Sequence, residues 1–376
     1  MDWSREENGL GYRPALDGVR AVAITLVLLG HVAFFLVPSW YGHFMRDSFL
    51  GVDLFFVLSG FLITTLLLQR RGRESHPIRR FYVRRAFRLM PALLALLLVN
   101  LLVAALFNQS IGNAVRSIGV GVTYTANWAS LNEIGVSKYV LHFWSLAVEG
   151  QFYLFWPLLL FGLLRLGLGR RSLVAAVLAI IAAVALWRAV EWWSGEPWLR
   201  LYLRTDVRVD SLLFGAVLAL VPYDELVRRT PAWARSLIGF TALGLIITAA
   251  QVLRQWSDFL YVGGFTAIAV VSTFAIAMAL QPGSAYYRAL ALAPMIFLGR
   301  ISYSLYLWHF PVFWVVADNT ESWAPALRVA LGVPAAFLLA IGSYYLVERP
   351  ALRLKHRVER RGKRRAVAAQ PAASIP

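Results

Sequence analysis

Ten apolar runs of close to twenty residues each recur along this 376-residue chain, and about twenty apolar residues are what an α-helix needs to cross a bilayer core. They fall at roughly 16–37, 48–69, 89–107, 142–164, 172–193, 207–223, 236–253, 259–281, 294–317 and 326–347. The sixth is the shortest. With 59% hydrophobic residues and a mean hydropathy of +0.62, the chain lies outside the range of soluble domains. The expected fold is an all-α polytopic membrane protein of about ten transmembrane helices. No stretch outside the runs is long enough for a soluble domain, and no internal repeat is visible.

The net charge is +17, and its distribution matters more than its size. Of the 37 Lys and Arg residues, 26 fall in alternate segments that share a side with both termini, and 6 fall in the segments between. By the positive-inside rule both termini are cytoplasmic. Charge confined to the short segments between spans also argues against a nucleic-acid binder, which would gather it on one soluble face. The chain has no cysteine, so disulfides, thiolate metal sites and a cysteine nucleophile are excluded. Residues 1–13 are polar, and the first run lacks a small-residue cleavage site, so no cleaved leader is expected. The longest outer loop, 108–141, is expected to form a partly buried cap. Residues 1–350 read as the membrane domain. Residues 351–376 read as a basic, disordered cytoplasmic tail close to anionic lipid.

Within this apolar chain the ionisable residues are the informative ones, because burying them in a membrane is costly. In the first run Arg20 and His31 are eleven residues apart, which is three helical turns plus about 20°, so they share a face roughly 16 Å apart. Asp17 lies on the same face. Asp53 falls near the outer end of the second run, above Ser59-Gly60. His142, Glu149 and Tyr153 fall in the outer half of the fourth. Asp206, Arg208 and Asp210 precede the sixth, and His309 lies in the ninth, ahead of Pro311. Several spans thus contribute ionisable groups at similar depth, as an intramembrane polar cavity requires. On the cytoplasmic side the loop 70–88 holds eight arginines. Arg85 and Arg88 are one helical turn apart, and guanidinium forks suit phosphate.

Together these stretches resemble the integral-membrane acyltransferase family three, bacterial O-acyltransferases of cell-surface glycans and some secondary metabolites. Arg20 and His31 match an Arg-x10-His pattern. Gly51 to Ile63, with Ser59-Gly60-Phe61, looks like a second-helix signature, and Arg85-Ala86-Phe87-Arg88 like an Arg-x-x-Arg element. Phe143-Trp144-Ser145-Leu146-Ala147-Val148-Glu149, the segment Leu298 to His309, and Glu348-Arg349-Pro350 resemble later signatures, so the likeness covers about residues 14–350. Two departures stand out. Gly150 occupies a position where the family often has a second acidic residue, and no SGNH hydrolase-like domain follows the last motif.

The resemblance implies acyl-coenzyme A, usually acetyl, as donor and a hydroxyl as acceptor, most simply an extracytoplasmic or lipid-linked glycan. It places the protein in a bacterial cytoplasmic membrane. An imidazole titrates near working pH, so His31 is the expected general base, oriented by Glu149 or, second, Asp53. Arg20, Arg84, Arg85 and Arg88 are the expected coenzyme A contacts. Asp206, Arg208, Asp210, His142, Tyr153 and His309 are candidate acceptor contacts; for Asp206, Arg208 and Asp210 a local ion-pair cluster is the plainer reading. The expected partners are membrane lipid, the coenzyme A thioester and the acceptor, with self-association left open and no nucleic acid or metal expected. A small-molecule acceptor such as a macrolide uses the same residues. A transporter is the competing class, although the paired broken helices of many transporters are missing from the sequence.

Overall fold

The computed structural model describes residues 11–37, 48–72, 74, 76–107 and 109–354, and no strand occurs among them. Residues 355–376 of the expected tail lie outside the described residues. The helices are α1 (Pro14–His31), α2 (Gly51–Arg70), α3 (Pro77–Leu106), α4 (Ile111–Val122), α5 (Ala126–Leu131), α6 (Phe143–Arg165), α7 (Arg170–Trp193), α8 (Trp198–Leu203), α9 (Val209–Leu220), α10 (Tyr223–Arg229), α11 (Ala232–Val252), α12 (Phe265–Met278), α13 (Ala285–Leu290), α14 (Ala293–Asn319) and α15 (Pro325–Ser343). Among the described residues, eight stretches are long and apolar enough to cross a membrane: α1 extended to Leu36, α2, α3, α6, α7, α11, residues Leu260–Met278, and α15 extended to Leu354. The chain is an all-α polytopic membrane protein.

Each of the ten expected runs coincides with one helix. The sixth, α9, is only 12 residues long, about 18 Å at 1.5 Å per residue and short of a full hydrocarbon core. The ninth, α14, is 27 residues long and carries Arg300, His309 and Asp318. Outward-facing Leu98 and Phe155 are 60% and 64% exposed, the pattern of a lipid-facing surface, because lipid places no demand on apolar side chains to hide.

Two expectations change. Most of the arginine-rich segment 70–88 is not a loop: residues 77–88 form the first turns of α3. Pro77 suits the first helical turn, and no Gly or Pro interrupts residues 78–90, so the helix runs unbroken into its apolar half. The outer loop 108–141 is largely helical: α4 and α5 pack on α3 and α6, which makes the cap more regular than its composition suggests.

The bundle is organised by α2, which is mostly buried. Its closest partner is α9. A Cβ on Gly60 would overlap the Leu212 carbonyl, and one on Gly215 would overlap that of Val57. Two bare backbones therefore meet at the crossing, the small-residue packing that membrane helices favour. On the other side α1 packs on α14, and α14 on α15. A π-helical turn, Val32–Leu36, follows His31 directly; such widened turns recur at functional sites.

Candidate active site

A cavity of about 170 Å³ opens between α1, α2, α3, α6 and α14. Its lining includes Arg20, Arg85 and Arg88, the polar group Ser59, Glu149 and Tyr153, and the pair Ser145 and Tyr306. Helical geometry explains the first group: Arg20 is in the second turn of α1, and Arg85 and Arg88 are three apart on α3. Arg20 donates to Asp17 at 2.8 Å, and Asp17 also accepts from Tyr12 at 2.9 Å. Arg85 lies 3.9 Å above the Tyr153 ring and 3.9 Å from Glu149 Oε1; its Nε has no hydrogen-bond partner. Glu149 accepts a hydrogen bond from Ser59. Arg84, expected among the coenzyme A contacts, instead forks onto Glu74, at 2.8 and 3.1 Å, and does not line the cavity.

Three histidines from three different helical regions meet next to this cavity. His31 Nδ1 lies 3.0 Å from the Val27 carbonyl oxygen, and His309 Nδ1 lies 2.9 Å from that of Leu305. A carbonyl can only accept, so both Nδ1 atoms carry hydrogen. His309 Nε2 is then a bare lone pair, and it faces His31 Nδ1 at 3.2 Å. The same logic leaves His31 Nε2 unprotonated. His142 completes the group, its ring 5.7 Å from that of His309 and stacked on Phe310 at 4.5 Å. Both His142 nitrogens are buried without a hydrogen-bond partner. Tyr306 belongs to both assemblies: it lines the cavity, bonds Ser145 at 2.5 Å and donates to the His142 carbonyl at 2.7 Å.

The pairing expected for His31 is therefore different in the structure. Glu149 engages Ser59 and Arg85, and the group on the imidazole is His309. Asp53, the second expected orienting acid, is fully buried and committed elsewhere. It accepts from Arg208 at 2.8 Å and from Ser211 at 3.2 Å. Arg208 and Asp210 are likewise fully buried, so they are not acceptor-facing surface charges. Arg188 holds Asp210 with two 3.0 Å contacts and reaches Thr266 at 2.7 Å. Asp206 alone is peripheral. Its partial burial works against ionisation, but hydrogen bonds from Arg204 and Trp187 outweigh that and hold its carboxyl below the usual range. Buried charges of both signs select one another, and alternation in the sequence gives no view of that.

One further carboxylate contacts a helix that lines the cavity. Glu348, within a π-helical turn after α15, accepts from Ser304 of α14. No group of three or more potential metal ligands occurs among the described residues.

A family model described as an acyltransferase domain matches residues 13–345. The chain belongs to that family. Peptidoglycan O-acetyltransferase OatA of Listeria monocytogenes is 31% identical over 353 residues, covering 90% of this chain and 56% of that protein. The putative peptidoglycan O-acetyltransferase YrhL of Bacillus subtilis is 32% identical over 354 residues, covering 90% and 55%. O-acetyltransferase OatA of Staphylococcus aureus is 31% identical over 352 residues, covering 90% and 57%. The chain thus spans little more than half the length of these relatives, and no solved structure matches it. Membership of this family, together with the eight apolar helices, makes it a multi-pass bacterial membrane protein.

Proposed function

We propose that the chain is an O-acetyltransferase that moves an acetyl group from a coenzyme A thioester to a hydroxyl of a cell-envelope glycan. The observation that carries this reading is one cavity lined by three guanidinium groups and by Tyr306, whose ring lies 5.6 Å from that of His309 in the hydrogen-bonded His31–His309 pair beside it. The relatives' names point to acetyl transfer and to peptidoglycan as the acceptor class.

The chemistry follows from the protonation states. The acceptor hydroxyl attacks the thioester carbonyl carbon, and His31 Nε2 takes the hydroxyl proton as the C–O bond forms. The imidazolium so produced shares its Nδ1 hydrogen with Val27 and with the lone pair of His309 Nε2. The C–S bond then breaks, and the proton on His31 passes to the departing thiolate, so the products are the ester and free coenzyme A. Arg20, Arg85 and Arg88 supply forks for the phosphates at the end that the charge distribution makes cytoplasmic. Arg20 and His31 are about 16 Å apart along α1, a gap that an extended pantetheine arm spans.

The test uses purified protein with radiolabelled acetyl-coenzyme A and a peptidoglycan fragment as acceptor, following thiol release and labelled ester. Acceptor-dependent thiol release is the expected result. Release only with a small-molecule hydroxyl in place of the glycan would move the acceptor class. No release with any thioester would sink the reading and favour a transporter. Coenzyme A affinity gives a second check. Charged hydrogen bonds are worth about 1.5–3 kcal/mol each, so Arg85→Ala and Arg88→Ala are each expected to weaken binding about tenfold or more by calorimetry.

A further inference from the structure

The cavity is too small for the whole of the proposed donor. At about 170 Å³ it falls below the roughly 300–1,000 Å³ of pockets that bury a drug-sized ligand. An acyl-pantetheine arm fills such a space, and the nucleotide end of coenzyme A is left outside it. With Arg20, Arg85 and Arg88 facing the cavity, the base and the 3′-phosphate need partners of their own.

Arg20 continues into one hydrogen-bonded chain. It donates to Asp17 Oδ1 at 2.8 Å, Tyr12, just before α1, donates to Asp17 Oδ2 at 2.9 Å, and Arg300 of α14 donates to the Tyr12 hydroxyl at 2.9 Å. Backbone packing holds the two helices together here, because a Cβ on Gly299 would overlap the Asp17 carbonyl. Tyr12 is turned the opposite way to an interfacial tyrosine, which buries its ring and wets its hydroxyl. Its hydroxyl is committed to buried Asp17, yet the residue is 63% exposed, so the ring rather than the hydroxyl meets solvent. The Arg300 guanidinium lies 5.5 Å from that ring's centroid. Its side chain is 52% exposed, and its 3.9 Å separation from Asp17 is long for an ion pair. One carboxylate therefore serves two guanidinium groups, and Arg300 keeps charge to offer.

We infer that Tyr12 and Arg300 form the subsite for the nucleotide end of the acyl donor, the Tyr12 ring stacking on the base and the Arg300 guanidinium binding the 3′-phosphate. An exposed aromatic face suits a nucleobase, and a guanidinium fork suits a phosphate. Both are tied through Asp17 to Arg20, which lines the cavity, so the subsite adjoins the place where the pantetheine arm enters. This inference rests on the proposed docking of a coenzyme A thioester.

The experiment measures binding of three probes to the full-length purified protein by calorimetry: coenzyme A, 3′-dephospho-coenzyme A and 4′-phosphopantetheine. The parent is expected to prefer coenzyme A over the dephospho form about tenfold, the size of one charged hydrogen bond. Arg300→Gln is expected to abolish that preference and to bind 4′-phosphopantetheine as the parent does, which also verifies that it is folded. Tyr12→Leu is expected to weaken both nucleotide probes about tenfold and to spare 4′-phosphopantetheine. Tyr12→Phe keeps the ring, so its affinity for the dephospho form is expected to stay within about threefold of the parent. If the parent binds coenzyme A and its dephospho form equally, or Arg300→Gln leaves their ratio unchanged, as a pair serving lipid headgroups would, the subsite is overturned. Equal weakening of all three probes in both Arg300→Gln and Tyr12→Leu would also overturn it, since the chain would then only brace Arg20. In these cases weaker binding by Arg85→Ala leaves the docking reading standing. If the parent binds none of the three probes, both are overturned.

Discussion

Replacing His31 by Ala is expected to lower kcat about 10²–10⁴-fold, the usual contribution of a positioned general base, with coenzyme A affinity little changed. The reasoning rests on two backbone contacts. Val27 and Leu305 carbonyls fix hydrogens on both Nδ1 atoms, leaving His31 Nε2 as the basic atom and His309 Nε2 as an acceptor beneath it. His309→Phe keeps an aromatic ring and removes that acceptor. The imidazolium formed during transfer then loses one hydrogen bond, worth about 1.5–3 kcal/mol when a charge is involved. At 1.36 kcal/mol per decade the expected loss is about ten- to hundredfold in kcat. Thiol release by the two single variants and the double variant separates the roles. If His309 acts through His31, the double variant is no slower than His31→Ala alone. Equal and independent losses would place His309 on the substrate instead. Full activity in a folded His31→Ala protein would remove the imidazole from the chemistry.

The largest stability effect is expected at the fully buried Asp53–Arg208 pair, 2.8 Å apart. Arg208 sits 3.5 Å over the Phe265 ring, with its Nε and Nη1 unpartnered, so Asp53 supplies its counter-charge. The neighbouring Arg188–Asp210 pair is equally buried, and the four groups together are neutral. Asp53→Ala strands a guanidinium among aromatic rings. Breaking a buried pair typically costs about 3–5 kcal/mol, and a large fall in the unfolding midpoint in detergent is expected. Asp53→Ala combined with Arg208→Met removes both charges and is expected to recover much of that loss, because a matched apolar replacement has no ion to desolvate. The same pair of variants tests whether Asp53 orients His31. An acid that oriented His31 would leave the double variant stable but slow; a purely structural pair would leave it stable and active. No recovery of stability in the double variant would contradict the counter-charge account.

The bundle itself was legible because its determinants are local. Twenty apolar residues in a row demand a helix in lipid, and all ten runs match helices. The arginine-rich segment is helical where its charge density suggests a loop, because arginine is a good helix former and no Gly or Pro lies between residues 78 and 90. The site was half legible. His31, Arg20, Arg85, Glu149 and Tyr153 are individually conspicuous in an apolar chain, and the structure brings all but His31 to one cavity. Their pairings were not. His31 meets His309 across 278 positions of sequence, and Asp53 meets Arg208 across 155.

Sequence by itself determined the solvent, the secondary structure and the inventory of costly residues, since each follows from composition and period within a single segment. Only the tertiary structure decided which acid serves which base. The desolvation cost of a buried charge is relieved by whichever partner the crossing helices bring within about 3 Å, and a crossing such as that of α2 with α9 is set by two glycines far apart in the chain.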